Sequence, residues 1–164
     1  MGKELSRLAK FVGLLKEYNI LNFDIDSFES RLKLQKYVYL AGTLFGMKLN
    51  YPFNLYIRGP YSPKLADDYY KLNSFKGNLS NASYNTDKFK KFKDFVSGRT
   101  PKELEVIATI LYLWKTNERL LETGAYSEEK INKLIVEKVR DLKDIKKDFI
   151  EEKLKELQEL RNWA

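Results

Sequence analysis

Apolar residues recur along the first part of the chain at intervals of three and four. Leu5, Leu8, Val12 and Leu15, widened by Phe11, fall on one side of a 3.6-residue turn and predict a helix over 3–18. Asn19 and Asn22 surround its end. Asp26 and Glu29 have the spacing of a capping box, which satisfies two amide donors at a helix start, so a second helix is expected over 27–45. Phe28, Leu32 and Tyr39 supply its apolar side, and Gly46 suits a left-handed cap at its end.

The period then shortens to two. Tyr51, Phe53, Leu55 and Ile57 alternate with Pro52, Asn54 and Tyr56, the pattern of a short half-buried strand over 51–57. Pro52 belongs at an edge or first position, because it cannot donate to a ladder. One strand cannot stand alone, and the region 77–86 is the expected source of its partner, as a strand or a loop. Gly59-Pro60-Tyr61-Ser62-Pro63 reads as the turn that follows. Glycine and proline reverse the chain, Ser62 caps the next helix, and Pro63 takes the first helical position, where a missing N–H costs nothing. That helix is expected over 63–75, with Leu65, Tyr69 and Leu72 on one side.

Helical periodicity returns at 87–97 with Phe89, Phe92, Phe95 and Val96, closed by Gly98. Thr100-Pro101-Lys102-Glu103 combines a cap, a proline at the first position and a capping-box glutamate. The helix it opens, to 117 or 122, carries Leu104, Ile107, Ala108 and Leu111, with Ile110, Leu113 and Trp114 extending the apolar surface. It reads as the central core helix. Ser127 opens another helix with Ile131, Leu134, Ile135 and Val139, and Asp148 with Glu151 caps a last one carrying Phe149, Leu154, Leu157 and Leu160. The expected fold is one mainly helical domain over 1–164, with six to seven helices around a central apolar helix and one small β element, a strand or hairpin, near 51–57.

Composition narrows the chemistry. The 164 residues include neither histidine nor cysteine. Disulfides, zinc sites, Ser-His-Asp triads and Cys-His pairs are therefore excluded, while carboxylate-only magnesium or glycosidase-like sites stay open. No cofactor or metal is expected, and the chain reads as a non-enzyme. No stretch nears the roughly 18 apolar residues of a membrane helix, and the charged start lacks a signal peptide's apolar core, so a cytoplasmic location without membrane contact is expected. Abundant lysine and glutamate with scarce cysteine and methionine resemble thermophile composition. The net charge of +7 is uneven: residues 1–100 hold 17 Lys/Arg against 9 Asp/Glu, and residues 101–164 hold 13 against 14. Such asymmetry brings nucleic acid into consideration.

Arg31-Leu32-Lys33-Leu34-Gln35-Lys36-Tyr37-Val38-Tyr39-Leu40, together with the run from Tyr51 through Gly59-Pro60-Tyr61-Ser62 to Asp68, resembles the YwgA-like proteins of archaea and bacilli. More distantly it resembles the Panacea, or SocA-like, antitoxin domain. The match covers residues 24–72, with a looser fit around Leu111-Tyr112-Leu113-Trp114. The resemblance implies a helical domain without known catalytic residues, and antitoxin service among the Panacea members.

Three constellations carry the candidate chemistry. Arg58, Tyr61 and Ser62 at a helix start form a candidate anion or ligand contact, since free N–H groups and a guanidinium both suit phosphate or carboxylate. The same residues also read as a plain turn and cap, with Arg58 paired to Asp67 or Asp68. Gln35, polar among Leu32, Leu34, Val38 and Tyr39, is a candidate brace to the Gly59-Pro60 turn. Lys88, Lys90, Lys91, Lys93 and Arg99, interleaved with Phe89, Phe92 and Phe95, are candidate nucleic-acid contacts, or simply the wet side of an amphipathic helix. Asp67 and Asp68 project about 100° apart on a helix and make a poor catalytic pair. The leading functional expectation is a protein-interaction module, antitoxin-like or regulatory, whose partner is a toxin-like protein or a second copy. The alternative is a nucleic-acid-binding, winged-helix-like regulator using the basic N-terminal part.

Overall fold

Seven α-helices and a two-stranded antiparallel hairpin make up the regular structure in a computed structural model that describes residues 2–74 and 86–161. In chain order they are α1 (Gly2–Glu17), α2 (Phe28–Phe45), β1 (Asn54–Tyr56), β2 (Gly59–Tyr61), α3 (Pro63–Tyr70), a 3-10 turn (Leu72–Ser74), α4 (Thr86–Val96), α5 (Pro101–Glu122), α6 (Glu128–Leu142) and α7 (Lys147–Arg161). The chain is mainly helical, as its periodicity predicts. None of these helices is long and apolar enough to cross a membrane.

The described residues group into two compact units, one formed by Met1–Asn54 with Tyr61–Pro101, the other by Leu55–Pro60 with Lys102–Ala164. In the first, α2 packs on α4 and α1 on α3. Its core is aromatic. Phe92, fully buried, has the rings of Phe11, Tyr37, Phe45 and Phe89 at centroid distances of 5.6, 5.8, 6.1 and 5.8 Å. Tilted and edge-on pairs of this kind add to the stabilisation from area burial. From Leu34 to Ala41 every residue of α2 is buried, Gln35 and Lys36 included.

In the second unit α6 pairs with α7. The α5 run from Leu104 to Leu111 is buried throughout, because its apolar side chains encircle the helix instead of forming one stripe. Ile131, Ile135 and Val139 of α6 and Ile150, Leu154 and Leu157 of α7 are buried at helical spacing.

The helix ends follow local chemistry, with two corrections to the expected caps. Ser27, not Asp26, caps α2: its extended backbone lets the short hydroxyl accept from the Ser30 amide at 3.2 Å. The register shifts by one residue, so Glu29 lies in the first turn and pairs with Lys33 at 3.3 Å. Likewise α7 begins at Lys147, which puts Asp148 inside the first turn and Glu151 in an ion pair with Lys147 at 3.8 Å. Ser62 and Ser127 cap α3 and α6 as expected. Gly46 ends α2 at φ +69°, and Asn19 ends α1 at φ +57°, a conformation asparagine tolerates better than most residues.

The hairpin corrects the strand reading. The partner of β1 is β2, and the segment 77–85 lies outside the described residues. Gly59 and Pro60 belong to β2, and the chain reverses at Ile57 and Arg58. Gly59 explains the shift: its φ of +92° supplies the left-handed residue that completes such a turn, leaving Ile57 and Arg58 in ordinary conformations. Ile57 therefore leaves the alternation, and its side chain is 90% exposed.

Candidate functional site

Two polar arrangements involve residues in or next to the hairpin in sequence, one in each compact unit. In the first unit, Gln35 on α2 meets Ser62 at the start of α3. Gln35 Nε2 donates to the Ser62 carbonyl at 2.9 Å, and the Ser62 amide donates to Gln35 Oε1 at 2.9 Å. The Ser62 hydroxyl accepts from the Leu65 amide at 3.2 Å, and its carbonyl accepts from the Ala66 amide at 3.1 Å. Both Gln35 and Ser62 are buried. At this helix start the Ser62 and Leu65 amides are already engaged, and Pro63 has no N–H to offer.

Beside this joint, the Tyr51 hydroxyl donates to Asp68 Oδ2 at 2.6 Å. Asp68 is buried while Asp67 is exposed, the divergence that adjacent helical positions impose. Burial pushes the Tyr69 hydroxyl up to about 12, with Tyr61 adding to the rise, so it stays protonated at neutral pH. Among the described residues no cluster of carboxylates could hold a metal ion.

The second arrangement belongs to the other unit and is built under the turn. Lys143, just past the end of α6, donates from Nζ to the Ile57 carbonyl at 3.0 Å and to Glu105 Oε1 at 3.0 Å. Both charged side chains are at least nine-tenths buried, and Lys102 approaches Glu105 Oε2 at 3.8 Å. Opposite charges in such surroundings hold each other firmly, since loss of either leaves the other desolvated and unpaired. The backbone of the turn is thereby held, and of its residues Tyr56 is 50% exposed, Ile57 90%, and Arg58 is exposed. Tyrosine and arginine are residue types enriched among interface anchors.

The lysine-rich candidates disperse. Phe89 and Phe92 turn into the core, and Lys88, Lys90 and Lys91 are exposed, so these two rings are not available to stack on bases. The Lys88 ammonium lies at the C-terminal end of α2, where a Cβ on Gly46 would stand 3.3 Å away; a cation there suits the helix dipole. Arg99 folds back, its Nε donating to the Phe95 carbonyl at 2.6 Å and its guanidinium 4.4 Å from the Phe95 ring. Lys90 and Lys93 instead join Lys10 along a groove between α1 and α4.

Glu105 and Lys143 are the residues the sequence reading missed. Glu105 left a trace, as a carboxylate inside a run that is otherwise apolar from Leu104 to Leu111 save Thr109. Lys143, in a charged connection, left none. Lys153 is similar: buried, yet 3.4 Å from carboxylate oxygens of both Glu103 and Glu156. No family model, curated protein or solved structure matches this chain.

Proposed function

We propose that this chain is a non-enzymatic protein-interaction module whose hairpin tip, Tyr56-Ile57-Arg58, enters a pocket on a partner protein. The observation that carries this reading is the contrast at Ile57: a side chain 90% exposed on a backbone carbonyl held by a buried ion pair. An aliphatic group kept in water on a fixed turn gains about 1.5–3 kcal/mol when a partner covers it. Because the turn is already ordered, little of that gain is lost to ordering it on binding.

Charge selects the partner. The chain carries +7 and Arg58 stands at the tip, so an apolar pocket with an acidic rim suits it and a second copy of equal charge does not. The resemblance of residues 24–72 to the YwgA-like proteins, and more distantly to the SocA-like antitoxin domain, supports a toxin-like protein in that role.

Affinity capture from the native host tests this. The full chain should retain a stoichiometric protein that Ile57→Asp fails to retain, while both forms melt at the same temperature. Equal capture by the two forms, or no stoichiometric protein with either, overturns the proposal.

A further inference from the structure

The groove between α1 and α4 lies in the first unit and plays no part in the hairpin reading. It encloses about 370 Å³ and gathers Lys10 from α1 with Lys90 and Lys93 from α4. Tyr18, just past α1, borders it and is 43% exposed. The Tyr18 ring rests on Phe89 at a centroid distance of 5.3 Å, and Phe89 is buried against Phe11 and Phe92. Lys93 Nζ stands 5.2 Å from the centre of the Tyr18 ring. Asp87 is the one carboxylate in the lining, and among the described residues neither Lys90 nor Lys93 has an acid within ion-pair distance.

This combination is selective. Ammonium groups alone suit any polyanion, and an aromatic side chain alone suits any flat or apolar group. A ring backed by a buried aromatic core beside several cations suits a ligand that carries both a phosphate and a π-face, as a nucleic-acid strand does. A duplex keeps its base faces stacked inside and has none to offer Tyr18, whereas a single strand does. We propose that the α1–α4 groove is a subsite for single-stranded nucleic acid, with a base against Tyr18 and the backbone phosphates on Lys90 and Lys93. The site uses other residues than the hairpin tip, so either can fail without the other.

Fluorescence anisotropy on the full chain tests it, with a labelled oligothymidylate of about twelve nucleotides, the matching duplex, and ATP as competitor. The strand should bind, and its affinity should fall about tenfold between roughly 50 and 200 mM salt. Lys90→Glu with Lys93→Glu should weaken it at least about tenfold, and Lys90→Glu alone by a smaller factor at an unchanged melting temperature. Tyr18→Ala should cost about fivefold or more, and Tyr18→Phe should restore binding. The control, Lys130→Glu with Lys133→Glu on α6, alters net charge equally and should leave binding within about twofold. The proposal is overturned if no strand binds at low salt, or if the α6 control weakens binding as much as the α4 pair. It is equally overturned if duplex binds as tightly with Tyr18→Ala neutral, or if ATP alone displaces the strand at equal site concentrations.

Discussion

Gln35 and Ser62 exchange two hydrogen bonds across 27 positions of sequence, both in full burial. Replacing Gln35 by leucine keeps the volume but strands a buried amide and weakens the bonding of a carbonyl, so chemical denaturation should show a loss of about 2–4 kcal/mol. The polar residue was conspicuous in the sequence because its neighbours are apolar. Its partner followed from the need of buried amides for one, although the bond falls on Ser62 and not on the glycine or proline. The Glu105–Lys143 pair was not legible in this way, since 38 positions separate its members and only the folded chain brings them together. Tyr69 makes a second residue-level prediction. Its folded value of about 12 lies above the usual value of 10, so the unfolded chain loses this proton first as pH rises. Stability from this group is complete below pH 10 and is lost as pH climbs towards 12. Tyr69→Phe should accordingly shift the alkaline unfolding midpoint, followed by circular dichroism, to higher pH.

At the scale of elements, the hairpin depends on one backbone conformation and one buried ion pair. Gly59→Ala places a side chain at φ +92°, and should destabilise by about 1–3 kcal/mol in urea unfolding. Lys143→Ala leaves Glu105 buried and short of its closest cation, and should cost about 3–5 kcal/mol, whereas Lys143→Met with Glu105→Leu should recover most of that loss. The double variant tests a further point: its turn has lost the Lys143 bond to Ile57, so partner binding should weaken even where stability returns. Helices were legible because each carries its own period, and Ser62 and Ser127 mark two of their starts. The strand was half legible. Alternation identified it, but whether Ile57 continues the strand or enters the turn depends on where the left-handed residue falls, and Gly59 decides that. The lysine-rich helix α4 was legible as amphipathic, yet its grouping of Lys90 and Lys93 with Lys10 and Tyr18 depends on how α1 and α4 lie in space.

For the molecule as a whole, the two proposals name two kinds of partner, an acidic-rimmed protein pocket for the hairpin tip and a single strand for the α1–α4 groove. They occupy different residues of different units, so charge changes in the α1–α4 groove should leave protein capture intact, and Ile57→Asp should leave strand binding intact. The absence of histidine and cysteine was fully informative about excluded chemistry, because it needs no fold to interpret. The proposed docking tip was less legible, since the exposure of one isoleucine is a property of the folded hairpin. The most direct measurement places a photoactivatable amino acid at position 57 and, as control, at the exposed Leu134 position, and crosslinks each form in the native host. A single acidic protein joined at 57 and not at 134, and lost when Lys143→Met and Glu105→Leu loosen the turn, is the predicted result. Equal labelling at both positions, or no discrete product at 57, would contradict the account.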